Sequence, residues 1–180
     1  ASIIVGANPY ETKEDLFLVK SGQKPAEFKN NEAIQRGKDL EPLVRDKVNN
    51  HYLENFQPAC VQSLVEPFMI ASLDGFSNNV VLEIKCPTNF GSHKKNFSYF
   101  AGWDKEENLI ETIGCPEYYF SQCQWQISCV NADYALFVSY LDGNYKAVEI
   151  LPDYTYIEYM KEECFKFWQD VQKVRNANNS

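Results

Sequence analysis

The 180-residue sequence has no apolar run approaching the roughly 20 residues of a membrane span, and no basic-then-apolar leader opens it. It has no Cys-x-x-Cys pair and no Cys/His spacing of the zinc type. Its six cysteines, at 60, 86, 115, 123, 129 and 164, are scattered through apolar contexts such as Cys129-Val130. That excludes a disulfide framework and an iron–sulfur site and predicts small buried hydrophobes. Repeats, low-complexity tracts and interdomain linkers are also missing. Positive charge is scarce: 17 Lys and Arg face 25 Asp and Glu, for a net charge of −8. Such a chain cannot hold a polyanion over its whole surface, so any basic groove must be local. Lys94, Lys95, Lys38, Arg36 and Arg45 are the candidates. With 44% hydrophobic and 14% aromatic residues, the chain can bury a proper core. The expectation is a soluble, cytoplasmic protein, one domain over residues 1–180. Its opening, Ala1 to Gly6, reads as the tail of a helix already begun upstream.

What is present is concentrated between residues 72 and 87, Ser-Leu-Asp-Gly-Phe-Ser-Asn-Asn-Val-Val-Leu-Glu-Ile-Lys-Cys-Pro. Glu83 and Lys85 lie two apart in an apolar run, and residues two apart in a strand share a face. A carboxylate and an ammonium therefore project side by side from a strand whose Val81, Leu82 and Ile84 belong in a core. Asp74 precedes a Gly-containing turn, and a short hairpin brings it beside them. Two acids and a lysine around one point suit metal-assisted phosphodiester hydrolysis. Carboxylates supply hard oxygen ligands for Mg²⁺, and the lysine steadies the attacking water or the phosphate charge. A solvent-facing charge pair on a strand is the plainer reading of Glu-x-Lys alone.

Thr12 caps a helix over about 12–20, ended by Gly22 and Pro25. Asn30 or Asn31 opens a longer helix to about Glu54. Ile34, Glu41 and Val48 recur at sevens, with Gly37 and Val44 on the same side, which puts Glu41 in the buried stripe. A carboxylate there must be paired, protonated or metal-linked, unless a kink at Pro42 turns it to solvent. Residues 59–65, 68–73 and 80–85 read as strands, and 88–110 as an irregular, substrate-facing segment with one helical turn. Pro116 starts a helix to about Val130. Residues 134–141 and 145–150 form a hairpin around Asp142-Gly143-Asn144. A last helix runs over about 153–174, and Asn176 to Ser180 should fray. The fold class is α/β (α+β), a central mixed sheet flanked by helices.

Five segments, in order, resemble the phage-type exonucleases, the YqaJ viral-recombinase and lambda-exonuclease family of the restriction-endonuclease-like, PD-(D/E)XK nucleases. They are Gly6-Ala-Asn-Pro-Tyr10, Asn31-Glu-Ala-Ile-Gln-Arg-Gly-Lys-Asp-Leu-Glu-Pro42, Ser72-Leu-Asp-Gly75, Leu82-Glu-Ile-Lys-Cys-Pro87 and Pro116-Glu-Tyr-Tyr-Phe-Ser-Gln-Cys-Gln124. The resemblance implies a 5′→3′ exonuclease on double-stranded DNA ends, dependent on Mg²⁺ with Mn²⁺ as a substitute. It implies metal ligation by Asp74, Glu83, Glu41 and the backbone carbonyl of Ile84, with Lys85 as the catalytic lysine and Gln122 lining the site. It further implies a single-strand-annealing recombinase as partner and a homotrimer. Lys94 and Lys95 are the expected DNA-backbone contacts. The family's 5′-phosphate-binding Ser or Thr matches a position upstream of Ala1. A Cas4-like repair nuclease, a catalytically silent DNA-end-binding protein and an unrelated globule with a surface Glu-x-Lys pair remain open. Burial of Glu83 and Lys85 would exclude the last.

Overall fold

Short polar side chains start the helices of the computed structural model, which describes residues 1–26, 31–96, 102–103, 109–110 and 114–178. Thr12 accepts the Asp15 N–H at 3.1 Å and opens α1 (Lys13–Lys20). Asn31 accepts the Ile34 N–H at 3.0 Å and opens α2 (Glu32–Tyr52), which continues through Pro42 to a left-handed Leu53. Asn89 does the same for the short α3 (Phe90–Lys95), as does Asp153 for α5 (Tyr154–Asn178). These caps satisfy amide groups that the first turn leaves without partners. Pro116, with no amide hydrogen to lose, precedes α4 (Glu117–Val130). Residues 1–6 make one helical turn, finished where the Ala7 N–H reaches back to the Ser2 carbonyl at 2.9 Å and Gly6 takes φ +77°.

The main sheet has the order β1 (Gln57–Gln62), β2 (Ile70–Ser77), β3 (Val80–Lys85), β6 (Tyr134–Leu141) and β7 (Asn144–Ile150). The β3–β6 pair is parallel and the others antiparallel. A separate ribbon pairs β4 (Gly102–Trp103) with β5 (Leu109–Ile110). It is the described part of the expected irregular segment beyond α3, the rest of which lies outside the described residues. The central β3 is buried on both faces, as its unbroken apolar run requires. On one face Val81, Ala135 and Phe137 pack under Cys123 and Ile127 of α4. On the other, Val80, Leu82 and Val138 pack against Val44 and Val48 of α2. Helix α5 lies against α4, and α1 against α5.

Several expectations shift. The β1–β2 turn falls at 63–68, because the Ser63 hydroxyl accepts the Val65 and Glu66 N–H groups and Pro67 cannot donate to a ladder. Leu64 and Val65, which read as strand, stand in solvent at the hairpin tip. The Asp74-Gly75 pair lies inside β2 and forms no turn. The turn is Asn78-Asn79, both left-handed at φ 45° and 63°, the backbone of a type I′ hairpin that asparagine tolerates. Ile34 is exposed, so the buried stripe of α2 begins one turn later. The last helix continues to Asn178. Cys60 is exposed and Cys86 half-buried, while the other four cysteines are buried as expected, and all six are free.

Gly75 is required by packing: a Cβ there would sit 2.8 Å from the Phe56 Cβ and 3.1 Å from the Leu82 side chain. Overpacking of this kind costs about 1–3 kcal/mol. Gly75→Ala should therefore lower the thermal midpoint by several degrees in a melting experiment. An unchanged midpoint would mean that Phe56 gives way freely.

Candidate active site

The site begins where two strands part. The antiparallel β2–β3 ladder ends at Gly75 opposite Leu82. Between Gln57↔Phe76 and Ala59↔Leu73 the β1 register shifts, so β2 carries an extra residue around Asp74, a β-bulge. Beyond it the Ile84 N–H has no backbone acceptor on β2, and the Asp74 carboxylate takes that place, Oδ2 accepting at 2.7 Å. The carbonyl of Asp74, released from the ladder, accepts from Arg45 Nη1 at 2.6 Å. Ile84 is thus tied to Asp74 through its N–H.

Glu83 and Lys85 project from β3 toward α4, on the face of Val81 and Phe137. Glu83 is 1% exposed. Its Oε1 is paired with the Lys85 ammonium, and its Oε2 accepts from Gln126 Nε2 at 2.6 Å. Gln126 also donates to the Ser72 carbonyl at 3.2 Å, and its own buried Oε1 has no partner among the described residues. The two acceptors fix the amide's orientation, since a flipped amide would set its oxygen against both. Lys85 donates to Gln122 Oε1 at 3.4 Å and lies 4.8 Å from the centre of the Tyr119 ring. Tyr119, Gln122 and Gln126 are three and four apart, one face of α4. Of these the sequence reading named only Gln122. The Gln122-to-Gln126 spacing was the signal that could have found the second glutamine.

Glu41 reaches the cleft from the opposite side of the sheet. It is half-buried and paired with Arg45 at 2.9 Å, and the same guanidinium nitrogen holds the Asp74 carbonyl. Arg45 was a candidate for a basic groove. Its side chain is only 12% exposed, and its contacts are internal, so it ties α2 to the bulge instead. Arg36, another candidate, pairs with Asp142 at 3.2 Å. Lys94 and Lys95 are on the exposed side of α3, and Lys94 lines a pocket against the β6–β7 hairpin whose walls include no member of the cluster. The buried side of α3 is anchored by His93 and Asn96, both bonded to Ser139 Oγ, at 3.0 and 2.9 Å.

The electrostatics are those of acids crowded out of water. Burial, then the negative charge of Glu83, pushes the Asp74 carboxyl up to about 7, against the Ile84 N–H and Lys85, which act to lower it. Burial alone would lower the Lys85 ammonium. The Glu83 carboxylate, with Tyr119 and Asp74, reverses this and holds it protonated well above the ordinary lysine range. Among the described residues no three His, Cys, Asp or Glu side chains form a ready metal cage. Mg²⁺ does not ask for one: it binds through one or two carboxylates and completes its shell with water and phosphate oxygens. Asp74 and Glu83, two crowded carboxylates, fit that demand, with Glu41 beside them.

Residues 1–134 match the YqaJ-like viral recombinase domain. Over 175 residues the chain is 26% identical to the uncharacterized protein YqaJ of Bacillus subtilis (strain 168). The match takes in 94% of this chain and 51% of that relative, so the chain spans about half its length. The alkaline exonuclease LHK-Exo of Laribacter hongkongensis has a similar fold, with a TM-score of 0.74 at 21% identity over 99% of this chain and 90% of that one. A phage-related exonuclease from Haemophilus somnus 129PT follows at 0.67 and 14%, over 93% and 82%. The mixed five-stranded sheet with its flanking helices is thus the expected fold.

A carboxyl whose folded-state pKa lies above its unfolded value makes stability fall as pH rises between the two. For Asp74 that window runs from the ordinary 3.8 to about 7. In EDTA, wild-type stability in urea should drop across this window, and Asp74→Asn should remove much of the drop. The variant should exceed wild type at pH 8 by on the order of 1–4 kcal/mol and match it near pH 4. Parallel pH curves for the two proteins would show that Asp74 is ionised throughout.

Proposed function

The chain belongs to the family of YqaJ-like viral recombinase domains, and on that premise we propose that it is a phage-type exonuclease, a Mg²⁺-dependent enzyme hydrolysing double-stranded DNA 5′→3′ from its ends. The observation that carries this reading is the meeting of Asp74, Glu83 and Lys85 where β2 and β3 separate, with Glu83 buried and Lys85 charged. A surface ion pair would lack that burial, which leaves Glu83 1% exposed.

Asp74 and Glu83 would hold the ion, Glu41 standing by, and Mn²⁺ would serve as a substitute. When bound, the ion supplies Lewis-acid polarisation of the phosphate and a more acidic water. The chain's own groups do the positioning. Lys85 is held protonated, so it acts as a donor to developing phosphate charge and not as a base. Gln122 and the Tyr119 ring keep its ammonium at the cleft, Gln126 keeps Glu83 turned toward it, and Arg45 ties Glu41 to the Asp74 backbone. The net charge of −8 favours a grip by enclosure over a broad basic face. The proposal therefore extends to a homotrimer whose clefts face a shared channel, and to a single-strand-annealing recombinase that receives the exposed strand.

With Mg²⁺, a 5′-labelled duplex should lose its label early and a 3′-labelled one late. EDTA should stop the reaction and Mn²⁺ restore it. Asp74→Ala, Glu83→Ala and Lys85→Ala should each lower the rate by about 10²–10³-fold or more. Calorimetry should find metal binding lost in the first two and kept in the third. A Lys85→Ala enzyme with wild-type turnover would remove the lysine from the chemistry, and early loss of the 3′ label would reverse the polarity.

A further inference from the structure

Three tyrosines lead out of the cleft. Lys85 lies against the ring of Tyr119. The Tyr119 and Tyr118 rings are 4.3 Å apart, and Tyr118 meets Tyr10 edge-on at 6.0 Å and 80°. Exposure rises along this line, from half-buried Tyr119 and Tyr118 to Tyr10, which is 78% exposed. Tyr10 is nonetheless held in place. The left-handed Gly6 ends the preceding turn, Pro9 restricts the backbone, and the Tyr10 N–H donates to Asn8 Oδ1 at 2.8 Å. Its surroundings are polar, with Glu11, Asp15 and Lys24 lining the adjoining pocket of about 380 Å³. A flat ring, backed edge-on by Tyr118, thus stands at a mostly polar rim that also includes Val19 and Pro25, which suits a flat ligand better than an apolar helix or strand.

The chemistry of the ligand follows from what the chain lacks. With a net charge of −8 it can make few phosphate contacts, and these weaken with salt. Aromatic stacking on bases needs no positive charge and accepts any sequence, because every base presents a π-face. We infer that Tyr10, braced by Tyr118, is a stacking platform for a nucleobase of the DNA strand whose backbone enters the cleft at Lys85. This rests on the nuclease reading above and adds a second means of holding the strand, at the rim of the cleft.

The test measures binding of labelled duplex ends by fluorescence anisotropy in EDTA, at 50 and 200 mM salt, for wild type, Tyr10→Ala and Tyr10→Phe. Stacking of one base should make Tyr10→Ala bind about 5- to 100-fold more weakly, with Tyr10→Phe within about twofold of wild type. The ratio of wild type to Tyr10→Ala should be the same at both salts. It should collapse toward one on a duplex whose terminal nucleotides on both strands are abasic. Tyr10→Ala binding as tightly as wild type would overturn the inference, as would an equal loss on the abasic duplex, while leaving the nuclease reading in place if wild type still cuts DNA. A wild-type protein that neither binds nor cuts duplex ends would remove both. Circular dichroism of the two variants, whose changed side chain is exposed, checks that each is folded.

Discussion

The site depends on a broken ladder. Past Gly75 the chain cannot keep pairing β2 with β3, because the bulge at Asp74 swings the backbone away. A gap between adjacent strands would normally leave amides and carbonyls stranded. Here two of them are satisfied from the side: the Ile84 N–H by the Asp74 carboxylate, the Asp74 carbonyl by Arg45. The gap lets groups from both faces of the sheet meet, with Glu83 and Lys85 coming from the α4 side and Glu41 from the α2 side. An unbroken sheet would have kept them on opposite sides of a wall. Gly75 belongs to the same device, since only a residue without a Cβ lets Phe56 and Leu82 close beneath the bulge.

Buried charge is the second constraint on the site. A carboxylate at 1% exposure is costly unless its oxygens are engaged, and both oxygens of Glu83 are, one by a cation and one by an amide. Asp74 has less help, with one amide on Oδ2, and its proton affinity rises accordingly. An interior built for stability alone would replace such groups with well-packed apolar ones of similar volume. Gln126, whose own oxygen has no partner among the described residues while its nitrogen holds Glu83, points the same way.

Much of this was legible before any coordinates. Val80 to Lys85 read as a buried strand because its run is apolar without alternation, and Glu-x-Lys put two charges on one face. Capping residues marked the helix starts within a residue or so, because the capping hydrogen bond is local. What was misread depended on geometry at a distance. The Asp-Gly pair looked like a turn, although the left-handed residues are Asn78 and Asn79. Glycine at 75 answers to Phe56, a neighbour that no local pattern reveals. Arg45 looked like a DNA contact because nothing in the sequence says that its donors are spent on Glu41 and Asp74. Gln126 shows in the sequence only through its four-residue spacing from Gln122, which places it on the same helix face but does not name Glu83 as its partner.

The position of β3 within the sheet also bears on the order in which the site is assembled. On its β2 side it is joined by a two-residue hairpin, which closes locally and fast. On its β6 side every partner, from Val80↔Tyr134 to Lys85↔Ser139, lies across a long loop, and closing that loop costs entropy before any contact offsets it. The wall that supports Lys85 and Glu83 from α4 and β6 is therefore among the last parts to assemble. A ribosome-bound chain that has paired β2 with β3 but not yet β3 with β6 carries Asp74, Glu83 and Lys85 together but leaves them in water, where their charges are screened. The pocket around these groups is complete only once the second half of the sheet has docked.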